Sequence, residues 1–155
     1  MTKVTIYTDG AARGNPDGPG GYGAVIEFID SRGNLHTKEL SQGYVKTTNN
    51  RMELTAAIVA LRALKEPCEV ELYSDSKYVI EGITKWVFSW IRRNWRNVQN
   101  VDLWKQLLEE TQRHTIKWNW VKGHDDNIYN NECDQVARKA AQGSELLQDD
   151  GYTDN

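Results

Sequence analysis

Cysteine, proline and phenylalanine are scarce in this chain of 155 residues, which holds two, three and two of them. Two cysteines, Cys68 and Cys133, are too few for a disulfide framework, and they lack the paired spacing of a zinc site. No segment approaches the roughly 18 uninterrupted apolar residues that a membrane helix needs. Nor does an apolar signal segment open the chain, since Met1 to Lys3 lead straight into the strand-like Val4-Thr5-Ile6-Tyr7. The expectation is a cytoplasmic protein with reduced thiols, monomeric by default. An excess of basic charge is also missing: the formal net charge is -3, which excludes the uniformly cationic surface of an indiscriminate nucleic-acid binder. Charge is nevertheless segregated. Four of the 19 basic residues, Lys85, Arg92, Arg93 and Arg96, fall in one acid-free stretch, leaving 15 against 22 acidic residues elsewhere.

What remains is ordinary for a globular domain, with 39% hydrophobic and 26% charged residues. The chain reads as one domain over 1–143 followed by an acidic, loose tail over 144–155. Val4 to Thr8 alternates as a half-buried strand and halts at Asp9-Gly10, before a stretch rich in glycine and proline. Tyr22–Ile29 and Leu35–Tyr44 read as two more strands joined by a turn-forming segment, so three antiparallel strands come first. Helical spacing of Leu54, Ala57, Ile58, Leu61 and Leu64 predicts a helix from Asn50 to Lys65, with Pro67 beyond as a stop. Val70–Ser74 is a short strand, parallel to an earlier one if reached through a helical crossover. Asp75-Ser76 suits an N-cap for a helix to Ile83, with more helix from Lys85 to Ile91 and a loop to Gln99. A helix over Val101–Arg113, a strand through Ile116, Trp118 and Trp120, a polar loop from Gly123 to Asn130 and a last helix to about Ala141 complete the order. The class is α/β, with a five-stranded mixed sheet of three antiparallel strands then two parallel ones, flanked by helices.

Four carboxylates stand out, and each has an unremarkable explanation. Asp9 precedes glycine as in a common turn dipeptide. Asp75 could be a helix cap. Glu53 and Asp134 sit early on helices, where negative charge is favoured by the helix dipole. Capping does not explain why the strands of Asp9 and Asp75, if adjacent and parallel, would bring two carboxylates to one end of the sheet. Clustered carboxylates repel and take up protons unless cations neutralise them. An all-oxygen donor set favours Mg²⁺ or Mn²⁺ over zinc, and a pair of such ions suits phosphodiester hydrolysis.

Tyr7-Thr8-Asp9-Gly10, the run from Thr47 to Leu54 (TTNNRMEL) and Ser74-Asp75-Ser76 resemble the signature segments of type 1 ribonuclease H, in a bacterial-like form. The run from Trp118 to His124 and Cys133-Asp134 resemble later motifs of that family. The resemblance implies a ribonuclease H-like fold and an endonuclease cutting the RNA strand of RNA/DNA hybrids with two Mg²⁺ ions, leaving 5′-phosphate and 3′-hydroxyl ends. Asp9 would be shared by both ions, with Asp134 at one and Glu53 and Asp75 at the other, while His124 would move protons or help product leave. Ala12, Asn15 and Asn49 would read the RNA strand, and Thr48 and Asn50 would seat the DNA strand, though helix capping is an alternative for Asn49-Asn50. Trp86, Arg92, Arg93, Trp95 and Arg96 resemble a basic protrusion that grips DNA, the alternative being an amphipathic core helix. A division is expected, with some tryptophans packed inward while arginines touch phosphates. His36 and His114 read as structural.

The sequence departs from that pattern at several places. Asp17 looks like an insertion in the glycine-rich turn, the loop from Arg96 to Asn100 is short, and Asp125 and Asp126 follow His124. Glu132 falls one position late, and Lys77, counted here among the nucleic-acid contacts, stands where glutamine is usual. A hybrid-binding module without catalysis would lack one of the carboxylates, and all four are present. A recombination nuclease or transposase-like domain on a related scaffold would lack TTNNRMEL. No obligatory protein partner is implied.

Overall fold

In the computed structural model, residues 1–13, 18–122, 128–143 and 145–152 are described. The elements run β1 (Thr2–Ala12), β2 (Gly18–Ile29), β3 (Leu35–Thr47), α1 (Asn49–Arg62), β4 (Cys68–Ser74), α2 (Lys77–Glu81), a π-helical turn (Gly82–Trp86), α3 (Val87–Arg92), α4 (Val101–Arg113), β5 (Thr115–Trp120) and α5 (Ile128–Ala141). The five strands form one sheet in the order β3-β2-β1-β4-β5. β1, β2 and β3 pair antiparallel, whereas β1–β4 and β4–β5 pair parallel. This is the expected mixed sheet.

Strand alternation sorts the two faces. Val4 and Ile6 of β1 share a core with Leu54, Ala57, Ile58 and Leu61 of α1 and with Trp104 and Leu107 of α4. Tyr7 and Val25 face the other way and pack under Cys133 of α5. The close seat of α5 is set by glycine: a Cβ at Gly23 would stand 2.6 Å from the Cys133 carbonyl oxygen, and one at Gly21 2.7 Å from that of Ala137. With no side chains in between, the helix backbone lies directly on β2, and Asp134 is carried toward the end of β1.

Several boundaries differ from the sequence reading: β2 already starts at Gly18, β3 runs on to Thr47, α1 stops at Arg62 and α5 begins at Ile128 rather than after Asn130. β1 does not halt at Asp9-Gly10 but continues to Ala12, with Gly10 opposite Tyr22 in an unbroken ladder. The acidic end that reads as loose is held through residues 145–152. Leu147 exchanges backbone hydrogen bonds with Gly43 and Val45 of β3, and the Asp149 carboxylate accepts from Arg51 and Thr47. Its acidity serves a buried cation rather than solvent.

In burial, the segment around α3 shows the inward packing expected of some of its tryptophans. Trp104 is fully buried, Trp90 and Trp95 pack against the core, and Arg92, Arg93 and Arg96 are exposed with Trp86. Asn94, Trp95, Asn97 and Asn100 all take left-handed backbone conformations. Asparagine tolerates this, whereas tryptophan is strained there and needs support. Support comes from the Trp95 N–H, which donates to the Trp90 carbonyl at 2.8 Å, and from indole contacts within the cluster.

His114 is buried where α4 meets β5, and its Nδ1 accepts the Cys68 backbone N–H at 3.0 Å. That geometry requires the neutral ring. Burial, then the nearby Arg113, holds its pKa below the ordinary 6.5. The unfolded chain therefore binds this proton first, so His114 contributes stability above pH about 6.5 that is lost as pH falls toward the folded-state value. Between pH 7 and 5 the urea midpoint should fall more steeply for the native chain than for His114→Asn, which offers a non-titrating acceptor. Parallel profiles would exclude His114 as the source.

Candidate active site

Register brings two carboxylates together. In the parallel β1–β4 pair Thr8 lies opposite Ser74, so Asp9 and Asp75 follow side by side. Glu53, one turn into α1, reaches the same point. Ligand oxygens of Asp9, Glu53 and Asp75 all lie within 4.8 Å of one another. Asp134 of α5 lines the same cleft of about 460 Å³, together with Ala12 and Asn49.

The ordinary explanations for these residues do not hold in the structure. Asp9 is not in a turn. Ser76, not Asp75, caps α2, its hydroxyl accepting from the Val79 N–H at 3.2 Å. Glu53 is 7% exposed and, like Asp134, lies beyond the first turn of its helix, where the dipole effect has fallen off. For Asn49-Asn50 the helix-capping alternative fails as well, because Thr48 supplies the cap to the Arg51 N–H.

Four acids close together have an electrostatic consequence. Burial, then the adjoining Glu53, with Asp75 and Asp134, pushes the Asp9 carboxyl far above the usual carboxylate range. Glu53 is pushed up by its own burial and by Asp75, against hydrogen bonds that favour its charge. Asp9 Oδ2 is buried and has no hydrogen-bond partner among the described residues. An unsatisfied buried oxygen among carboxylates is costly. A hard divalent cation would satisfy it, and this all-oxygen donor set fits one.

Several residues that position these groups have no obvious signal in the sequence. Gly10 donates its backbone N–H to Glu53 Oε1, while a Cβ there would stand 2.4 Å from the Glu53 nitrogen and from the Met52 carbonyl carbon. The first turn of α1 thus lies against β1 only because residue 10 is glycine. Gly10→Ala should cost about 2 kcal/mol or more by overpacking, read from the urea midpoint, and should weaken Mg²⁺ binding in calorimetry. A neutral effect on both would contradict this close approach. Ser74 places its hydroxyl 3.5 Å from Glu53 Oε2 and accepts the Ser76 N–H. Arg138 pairs with Asp134 at 2.9 Å, a partnership that the i,i+4 spacing could have suggested.

The expected nucleic-acid contacts fall into two groups. Ala12 and Asn49 meet at the cleft, the Ala12 N–H donating to Asn49 Oδ1, with Thr48 and exposed Asn50 alongside. Trp86, Arg92, Arg93, Trp95 and Arg96 do not line that cleft but sit in and just after the π-helical turn and α3, and Lys77 stands over the Trp120 ring. Asn15, Asp17, His124, Asp125 and Asp126 lie outside the described residues.

A mixed sheet in this order, with helices on both faces and carboxylates brought together by Asp9 within β1 and Asp75 just past the end of the neighbouring β4, defines the class: this is a ribonuclease H-fold protein. The structure is similar to that of LC9-RNase H1, a type 1 RNase H with the type 2 active-site motif, with a TM-score of 0.84 and 29% identity, over 100% of this chain and 78% of that one. It is also similar to LC11-RNase H1 in complex with RNA/DNA hybrid, with a TM-score of 0.60 and 27% identity, over 90% and 96% of the two chains. In sequence it is 56% identical over 153 residues to the ribonuclease H of Lachnoclostridium phytofermentans, spanning 95% of this chain and 97% of that one. The RNase H family model matches residues 1–142, and the chain belongs to that family.

Proposed function

We propose that this protein cleaves the RNA strand of RNA/DNA hybrids in a Mg²⁺-dependent reaction, Mn²⁺ substituting, to leave 5′-phosphate and 3′-hydroxyl ends. The observation that carries the reading is the buried Asp9 carboxylate, with an oxygen that has no hydrogen-bond partner among the described residues, set among Glu53, Asp75 and Asp134. Asp9 would be shared between two ions, with Asp134 completing one site and Glu53 and Asp75 the other. Bound there, the ions would activate a water and stabilise the leaving oxygen of the phosphodiester. The chain's own groups prepare the place: the Gly10 N–H and the Ser74 hydroxyl fix Glu53, and Arg138 holds Asp134. His124 is proposed to move a proton or to help product leave.

Substrate choice is assigned to the same cleft and its surroundings. Telling RNA from DNA requires contact with the 2′-hydroxyl, a donor and acceptor that amide and backbone groups can meet. Ala12, Asn15 and Asn49 take that role, Thr48 and Asn50 seat the DNA strand, and Lys77, Trp86, Arg92, Arg93, Trp95 and Arg96 hold its backbone. The structure of LC11-RNase H1 with RNA/DNA hybrid supports the substrate class. Buried, free Cys68 and Cys133 suit the reducing cytoplasm, and a monomer suffices for the site as drawn. No helix among the described residues is long and apolar enough to cross a membrane.

With end-labelled substrates in Mg²⁺, the hybrid should be cut while double-stranded DNA and single-stranded RNA survive, and EDTA should stop the reaction. Equal cutting of all three substrates, or an intact hybrid, would overturn the reading.

A further inference from the structure

Trp120, the last residue of β5, is 44% exposed yet held on two sides. Its indole Nε1–H donates to the backbone carbonyl of Asp75 at 3.1 Å. The ammonium of Lys77, on the first turn of α2, stands 4.8 Å from the centre of its ring. An exposed tryptophan loses favourable hydration of nothing but its N–H when it is pinned, whereas a lysine held over an indole gives up rotamer freedom, offset by a cation–π attraction of about 0.5–1 kcal/mol. The pairing also fixes a positive charge one residue beyond Ser76, which lines the carboxylate cleft together with Asp75.

We propose that Trp120 is a positioning residue of this active site, tying the Asp75 peptide to the Lys77 ammonium so that Lys77 meets a backbone phosphate of the bound nucleic acid beside the cut. The proposal rests on the assignment of hybrid cleavage to this cleft. Two connections make it specific. The peptide of Asp75 lies just past the end of β4, where the ladder to β5 stops at Ser74 opposite Trp120, so the indole bond takes over where the backbone pairing ends. Lys77 is two residues beyond Asp75 and separated from it by the Ser76 cap, so a shift of either disturbs the other. Trp120 thus fixes both a ligand and a cation from a strand that supplies no carboxylate.

The two connections separate by mutation. Trp120→Phe keeps an aromatic face for Lys77 and removes the N–H; it should lower kcat about tenfold and weaken calorimetric Mg²⁺ binding, with KM little altered. Lys77→Gln should raise KM and reduce the slope of log affinity against log salt by about 0.9 in hybrid binding without divalent ions, the loss of one phosphate contact. Trp120→Leu should combine both defects, and adding Lys77→Gln to it should change the salt slope no further, since the cation is already adrift. Unchanged kcat and Mg²⁺ affinity in a folded Trp120→Phe, or additive salt slopes in the double variant, would overturn the proposal. If Trp120→Phe does not fold, the slopes of Lys77→Gln and Trp120→Leu decide alone. A native chain that fails to cut hybrid refutes the assignment of function instead, so the two failures are distinct.

Discussion

Asp9→Asn is expected to lower hybrid cleavage by more than about a thousandfold while making the metal-free protein more stable. The rate loss follows from removing the carboxylate at the centre of the cluster, where several kcal/mol of transition-state stabilisation converge. The gain in stability follows from the same charge. Asp9 is 4% exposed, and burial, then Glu53, raises its folded-state pKa. A carboxyl whose pKa is raised by folding opposes the fold once pH exceeds its unfolded value of 3.8, because the unfolded chain releases a proton that the folded chain retains. An amide at this position carries no such penalty. At pH 7 in EDTA the variant should gain about 1–2 kcal/mol, a rise of a few degrees in thermal midpoint for a protein of this size. The advantage should shrink as pH falls toward 3.8, below which the native carboxyl is protonated in both states. Added Mg²⁺ should then stabilise the native chain and not the variant, because a ligand that binds only the folded state raises its stability. A variant within tenfold of native activity, or one less stable than native in EDTA, would remove Asp9 from the role given to it.

This trade explains why the site was only partly legible beforehand. Residue type and order identified the four carboxylates, but the forces that make them a site act across the fold. Asp-Gly is a turn signal when read locally; here Gly10 lies within β1, and glycine is required because the backbone of α1 crosses at that point. Glu53 and Asp134 carried the pattern of helix-dipole residues, and only the packing of α1 and α5 shows them buried or drawn to the cleft. The helix over Asn49–Arg62 was easier to read, since its apolar positions answer to one core and their spacing records that face directly. Trp120 was legible as a strand residue within the run from Trp118 to His124, but nothing local pointed to what it holds. Its partners, the Asp75 carbonyl and the Lys77 ammonium, lie more than 40 residues away in sequence.

The second large effect is expected far from the carboxylates' own chemistry, at the clasp around Arg51. This guanidinium is 2% exposed, inside the run that carries Thr48, Asn49 and Glu53. Asp149 accepts from its Nε at 2.7 Å and from Nη2 at 3.0 Å, and Asp102 accepts from Nη1 at 3.0 Å and Nη2 at 2.8 Å. Burial opposes the charge, and the two carboxylates outweigh it, so Arg51 stays cationic. Removing one of them leaves a buried charge half compensated, for which costs of about 3–5 kcal/mol are typical. With Asp102 still paired, Asp149→Ala should cost about 3 kcal/mol, lowering the thermal midpoint by roughly 10 °C. Asp102→Ala should cost less, because the Asp102 side chain is 39% exposed against 10% for Asp149 and water can partly replace it. Arg51→Met combined with Asp149→Leu should recover part of the loss, since an apolar replacement of a buried pair avoids the desolvation that each charge alone incurs. An Asp149→Ala variant that costs under about 1 kcal/mol would reduce the clasp to an ordinary surface pair. The acidic end of the chain would then be dispensable, and the first turn of α1 would owe its place to the Thr48 cap and to Gly10 alone.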